Sequence, residues 1–204
     1  RSLQRRLRRL RRRQPRPRQP RSLLRRSRLR QRLLLRHHLK RSSVPGLFIT
    51  LEGGDGAGKT TQSQLLVDWL TEAGHTVVVT REPGGTELGL ELREIVLHRR
   101  GDMDPRAEAL IYAADRAHHI ATVVRPALER GDIVVQDRYI DSSEAYQGAG
   151  RVLGADEVRE LSLWATQNLL PDVTVLLDLD PADSRKRLDS ARTRYDRLEA
   201  EKQE

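Results

Sequence analysis

The run Gly53-Gly54-Asp55-Gly56-Ala57-Gly58-Lys59-Thr60 concentrates the chain's chemistry. It fits the spacing G-x-x-x-x-G-K-[ST] without a mismatch. Glycines at these positions let consecutive backbone N–H groups turn inward around a phosphate. The N-terminus of a following helix adds partial positive charge. Lys59 then reaches β- and γ-phosphates, and the Thr60 hydroxyl can hold Mg²⁺. Such a loop implies nucleoside triphosphate binding. Alone it does not separate a kinase from a GTPase switch or an ATP-driven machine.

Two further clusters narrow the choice. Asp137-Arg138-Tyr139 directly follows the apolar run Ile133-Val134-Val135, and Arg81-Glu82-Pro83-Gly84-Gly85-Thr86 follows Val77-Val78-Val79. In an open parallel sheet the carboxyl ends of the strands face the ligand crevice. Asp137 can therefore approach Mg²⁺ or its waters, and Arg138 can clamp a phosphate with two parallel hydrogen bonds. A plain surface salt bridge is the alternative for this pair. The two glycines after Arg81 allow close backbone approach to a ligand, or simply make a tight loop. A guanine-selective N-K-x-D motif is absent from the sequence, which counts against a GTPase.

The elements that must position these residues alternate. Leu47 to Leu51 is a short apolar run, a candidate buried strand before the Gly-rich turn. A helix is expected from about Lys59 to Glu72, with Leu65, Leu66 and Trp69 as its apolar stripe and Gly74 as its stop. Leu88, Leu92 and Ile95 predict another helix. Pro105 suits the first turn of a third, running through Arg116 and His119, and Pro126 begins a short helix that Gly131 ends. Asp156 can cap a helix bearing Leu161, Trp164 and Leu169. Val173 to Leu179 reads as a fourth strand, and Asp180-Pro181 as the start of a last helix. Uninterrupted apolar strands separated by helices predict α/β, with a parallel sheet covered on both faces.

Charge divides the chain in two. Residues 1–41 hold 19 of the 38 Lys and Arg, whereas all 29 Asp and Glu lie at or after Glu52. The remainder therefore sets 19 cations against 29 carboxylates, so the basic balance belongs to the tail and not to the domain. Residues 1–43 are Arg-, Leu-, Gln-, Ser- and Pro-rich, and like-charge repulsion predicts disorder there. Three readings stay open: an arm for nucleic acid or acidic lipid, a targeting peptide, or a bland extension. Residues 44–204 form the expected domain. With no Cys there is no disulfide framework, which fits a cytoplasmic setting. No apolar run approaches the roughly 18–20 residues of a membrane span.

In order along the chain stand Glu52 to Thr61, Arg81 to Thr86, Tyr112-Ala113-Ala114-Asp115-Arg116, Asp137-Arg138-Tyr139 with Ser142-Ser143, Ala145-Tyr146-Gln147-Gly148, and Asp196-Arg197-Leu198-Glu199. This ordered set resembles the thymidylate kinase family over residues 46–204. The resemblance implies a P-loop NTPase fold, three layers αβα, and phosphorylation of dTMP to dTDP with ATP and Mg²⁺ on the way to dTTP. It implies an ATP site at Gly53, Gly54, Asp55, Gly56, Ala57, Gly58, Lys59, Thr60 and Thr61. The implied dTMP site comprises Asp55, Arg81, Tyr112, Arg116, Arg138, Ser143, Tyr146 and Gln147. Tyr112, where Phe is commoner, would stack on thymine and Arg116 would contact the base. Tyr146 would crowd a 2′-hydroxyl, and Thr60 and Asp137 would serve the metal. Ordinary core packing remains the alternative for both tyrosines. The family also implies a homodimer.

Some relatives carry a catalytic Arg within the P-loop where this chain has Gly56. The resemblance is therefore to the bacterial type, in which lid arginines bring the charge. The lid segment holds Arg185, Lys186, Arg187, Arg192, Arg194 and Arg197. Arg192 and Arg194 join Lys59, Arg138 and Asp55 as expected catalytic residues. The chain begins at Arg1 and stops at Glu204, inside the expected lid. The expectation is a fragment lacking the family's fifth parallel strand and its flanking helices. Two rivals remain at this level: a kinase for another monophosphate or deoxynucleoside, and a basic nucleic-acid-binding protein with a vestigial P-loop.

Overall fold

The computed structural model describes residues 32–37, 45–98, 101–149 and 153–191. Four parallel strands form the centre: β2 (Leu47–Glu52), β3 (Val77–Arg81), β4 (Ile133–Asp137) and β5 (Val173–Asp178). A fifth, β1 (Arg32–His37), lies antiparallel on the β5 edge, giving the order β1-β5-β2-β4-β3. The helices are α1 (Lys59–Glu72), α2 (Glu87–His98), α3 (Pro105–His119), α4 (Arg125–Glu129), α5 (Ile140–Ser143), α6 (Ala155–Ala165) and α7 (Pro181–Ala191). A π-helical turn, Ile120–Val124, joins α3 to α4, and another, Glu144–Ala149, follows α5.

Both faces of the sheet are covered, which is why the strands read as unbroken apolar runs. Phe48 and Val134 face one way and pack with Ile120, Val124, Leu128 and Tyr139. Ile49, Leu51 and Val135 face the other way and pack with Leu70 and Leu177. The expected three-layer α/β fold is what these two cores build. Register then places the chemistry. Asp137 lies beside Leu51 on one neighbour and beside Arg81 on the other. The P-loop, the Asp137–Arg138 turn and the Arg81 loop thus leave the sheet side by side.

Helix starts follow their caps. Asp104 accepts from the Arg106 N–H at 2.9 Å, with Pro105 in the first turn of α3. Asp180 accepts from the Ala182 N–H at 2.8 Å and opens α7. The α6 start differs from expectation: Gly154 precedes the helix, its N–H donating to Glu157 at 3.2 Å, and Asp156 lies inside the first turn.

Several apolar expectations are corrected. In α1 the inward residues are Lys59, Ser63 and Leu70, while Leu65 and Trp69 are 57% and 64% exposed. The face packed on the core is Leu66, Val67 and Leu70, of which Leu66 belongs to the expected stripe. Leu88 and Ile95 of α2 and Trp164 of α6 are likewise exposed, whereas Val96 and Leu97 are buried.

The Arg-rich segment also departs from its expected lack of structure. Residues 32–37 pair along β5 from Arg32↔Asp178 to His37↔Val173. The outer edge of β5 is thereby occupied. A strand edge is a row of unmet N–H and C=O groups, and Leu33-Leu34-Leu35 is an apolar run able to take that position. Residues 1–31 and 38–44 lie outside the described residues, as do Arg192, Arg194 and Arg197. Among the described residues no helix is long and apolar enough to cross a membrane.

Candidate active site

The Gly-rich turn between β2 and α1 closes on itself. Lys59 Nζ donates to the Gly53 and Gly54 carbonyls at 2.8 and 3.0 Å and stands 3.7 Å from Asp55. Gly53 has φ 138°, and a Cβ there would come within 2.5 Å of the Leu177 carbonyl oxygen. A side chain at Gly53 would therefore strain the backbone and push β5 aside. Gly56 has φ 74°, and a Cβ there would meet α7 at Ser184 and Leu188. Helix α7 reaches the loop: Ser184 Oγ donates to the Asp55 carbonyl, and Arg187 Nη1 to the Gly56 carbonyl at 3.1 Å. Burial lowers the proton affinity of Lys59, and the charge of Arg138 lowers it further.

Arg138 is the hub. Its Nη2 donates to Asp55 Oδ1 at 2.7 Å, and its Nη1 to Ser142 Oγ at 3.3 Å and Tyr146 Oη at 3.2 Å. The guanidinium lies 5.2 Å from the Tyr146 ring centroid. A charged fork from the turn after β4 is thus tied to the carboxylate of the P-loop.

A cavity of about 530 Å³ opens beside this pair, lined by Tyr112, Arg116, Tyr146 and Gln147 on its inner side. Arg116 is 2% exposed. Its Nε donates to Glu82 at 2.7 Å, Nη1 to Ser162 at 2.9 Å, and Nη2 to Ser143 at 3.0 Å and to the Tyr139 carbonyl at 3.3 Å. Its second Nη1–H has no partner among the described residues. Glu82 also meets His119 Nδ1 at 2.9 Å, and His119 Nε2 lies 2.6 Å from Thr80 Oγ1. Gln147 Nε2 donates to the buried Glu108 at 3.2 Å. Burial pushes the Asp115 carboxyl, next to Arg116 in sequence, up to about 6, with the Glu82 charge adding to it.

Fitness for Mg²⁺ rests on Asp137. Its Oδ1 is buried and has no hydrogen-bond partner among the described residues. Burial also raises its proton affinity. An unmet buried carboxylate oxygen is costly unless a cation or its water satisfies it. Thr60 and Asp137 both line the cavity. The residues present therefore suit the ion.

The cavity brings together Asp55, Gly56, Gly58, Lys59, Thr60, Thr61, Arg81, Tyr112, Arg116, Asp137, Arg138, Ser143, Tyr146 and Gln147, all expected from sequence. Gly53, Gly54 and Ala57 complete the loop behind them. Of the lid group, Arg187 faces the cavity, while Arg185 and Lys186 are exposed. Sequence reasoning gave no role to Glu52, Glu82, Glu108 or His119. A signal was available: Glu52 and Glu82 are carboxylates at or next to strand ends, and Tyr112, Arg116 and His119 recur at i, i+4, i+7 on one helix face.

Comparisons with known proteins identify the family. The family model described as Thymidylate kinase matches residues 51–204. The thymidylate kinase of Leifsonia xyli subsp. xyli is 76% identical over 160 residues, spanning 78% of this chain and 76% of its own length. That of Bifidobacterium longum is 57% identical over 157 residues, 75% of this chain and 76% of its own. A crystal structure of thymidylate kinase from Ehrlichia chaffeensis superposes with a TM-score of 0.63 at 38% identity, covering 71% of this chain and 83% of that one. With a family model matched over most of the chain and relatives of this identity and coverage, the chain belongs to the thymidylate kinase family.

Proposed function

We propose that this crevice transfers the γ-phosphate of ATP to dTMP, giving dTDP and ADP, a step toward dTTP. The carrying observation is the 2.7 Å contact between Arg138 and Asp55, which joins the donor loop to the acceptor cavity. ATP lies on the loop from Gly53 to Thr61. The acceptor lies across the crevice, thymine against Tyr112 and the spare N–H of Arg116, with Arg81, Ser143 and Gln147 around it. A phosphate oxygen of dTMP attacks the γ-phosphorus in line, and the bond from that phosphorus to the β,γ-bridging oxygen breaks as ADP leaves. The attacking oxygen is already anionic, so no strong base is needed. Lys59 and Arg138 hold the charge on the moving group, and Arg187 or an arginine beyond it completes the shell. Thr60 and Asp137 would hold Mg²⁺, which would supply further neutralisation of the phosphate oxygens.

A coupled ADP-release assay across dTMP, dUMP, UMP, CMP, AMP and GMP tests the reading. Transfer to dTMP above the rest is expected. The Tyr146→Ala variant should raise the UMP/dUMP ratio of kcat/KM, because the ring crowds a 2′-hydroxyl. Silence with every acceptor, with salt-sensitive DNA binding by residues 1–43, would favour the nucleic-acid reading instead.

We infer a homodimer, supported by the large exposed apolar side chains Leu110 of α3 and Trp164 of α6, and a cytoplasmic setting beside its nucleotides. Sedimentation of a monomer at every concentration would refute the dimer.

A further inference from the structure

Arg138 adopts φ 65°. For a residue with a Cβ this left-handed conformation is disfavoured, so something must impose it. The bonds around it identify what does. The Arg138 N–H donates to the Leu51 carbonyl at 2.9 Å, and Gln136 Nε2 donates to the Arg138 carbonyl at 3.0 Å. The next residue is held by a side chain: the Tyr139 N–H donates to Glu52 Oε1 at 2.7 Å. The other oxygen, Glu52 Oε2, accepts from Ser142 Oγ at 2.5 Å. Ser142 is itself a partner of Arg138 Nη1.

Glu52 is the last residue of β2, one step before the P-loop, and is 3% exposed. It does not line the cavity. One carboxylate therefore spans from the strand that feeds the donor loop to the turn that carries Arg138. Backbone bonds alone would fix Arg138 from the sheet side. Glu52 reaches the residues after it, where the chain reverses out of the left-handed position into α5; Arg116 holds the same stretch from the cavity side, at the Tyr139 carbonyl and Ser143.

We propose that Glu52 is a positioning residue for phosphoryl transfer: its two-oxygen clamp on Tyr139 N–H and Ser142 Oγ holds the turn that aims Arg138 between Asp55 and Tyr146. The proposal rests on the reading of Arg138 as the group that bridges the phosphates. Burial in this place pushes the Glu52 carboxyl up to about 7, against the opposing pull of the Ser142 hydrogen bond.

The test uses the full chain and four variants: Glu52→Gln, Glu52→Asp, Arg138→Ala and the Glu52→Asp/Arg138→Ala double. Glu52→Gln keeps an acceptor for Tyr139 N–H and offers an amide donor to Ser142 Oγ. Glu52→Asp keeps the charge but is one methylene too short to reach both partners. Misplacing a catalytic group by about 1 Å can cost on the order of 10² in rate, so Glu52→Asp should lower kcat at least about tenfold while the KM for ATP moves less than about twofold. Glu52→Gln should stay within about threefold of the parent kcat. In an Arg138→Ala background, Glu52→Asp should change kcat less than about twofold, because the group it positions is gone. Rates are compared per folded molecule, measured by circular dichroism. Full kcat in Glu52→Asp would overturn the proposal. So would an equal loss with and without Arg138, which would mark Glu52 as structural. Full activity of Arg138→Ala would instead overturn the phosphate-bridging role of Arg138, and Glu52's role with it.

Discussion

Removing Arg116 should expose how strongly the floor of the base cavity depends on one buried ion pair. The perturbation is Arg116→Met, which keeps most of the volume and none of the charge. Arg116 is 2% exposed and Glu82 is 4% exposed, with 2.7 Å between Nε and the carboxylate. Breaking such a pair from one side leaves an uncompensated buried charge, at about 3–5 kcal/mol. His119 still bonds Glu82 Oε1 at 2.9 Å, so the lower end, about 3 kcal/mol, is expected. For a domain of this size that is a fall in Tm of about 6–12 °C. Glu82→Leu alone strands the guanidinium and should cost a similar amount. The double variant strands neither charge and should cost clearly less than the two singles together, with a coupling energy of about 2–3 kcal/mol. Urea unfolding followed by far-UV circular dichroism reads all four corners. Fluorescence is a poor choice because Trp69 and Trp164 are 64% and 79% exposed in the folded state. An Arg116→Met cost below about 1 kcal/mol, or an additive cycle, would refute the argument that this pair is desolvated and mutually dependent.

Lys59→Ala should lower kcat by on the order of 10²–10³, because it removes charge from the transition state, while the protein still folds. Turnover near the parent value would sink the P-loop assignment. The second expectation concerns pH. Burial lifts Glu52 from an ordinary 4.5 to about 7, so its contribution to stability is complete below pH 4.5 and is lost as pH rises through 7. Glu52→Gln does not titrate. Relative to that variant, the parent should lose up to about 3 kcal/mol of stability between pH 4.5 and 8, read as urea midpoints. A difference independent of pH would mean that Glu52 stays ionised throughout.

Much of the site was legible because its residues are constrained locally. The P-loop works through backbone N–H groups and a fixed spacing to Lys59, so a sequence pattern suffices to find it. Asp137 and Arg138 follow an apolar run, and a strand end is a place the sequence marks. Glu52, Glu82 and His119 were harder, since their function is to hold other residues. His119 matters because Glu82, 37 positions away, lies beside it, and no local spacing encodes that. Leu65 and Trp69 were misjudged because apolar identity was taken as inward direction. The helix turns Leu66, Val67 and Leu70 to the core instead. The strand at Arg32–His37 was missed because charge outweighed the three leucines within it, and its partner lies about 140 positions ahead in sequence.

Helix α7 grips the carbonyl side of the P-loop through Ser184 and Arg187, at Asp55 and Gly56. Asp55 and Gly56 also line the cavity in which the triphosphate is proposed to lie. Nucleotide and helix would thus address the same two residues, and anything that reorients their peptides is felt by both. Linkage is reciprocal: the factor by which α7 docking changes affinity for ATP is the factor by which ATP changes α7 docking. Arg185, exposed on the outer side of that helix, is consequently a place where a spectroscopic label would report loading of the loop without touching the ligand.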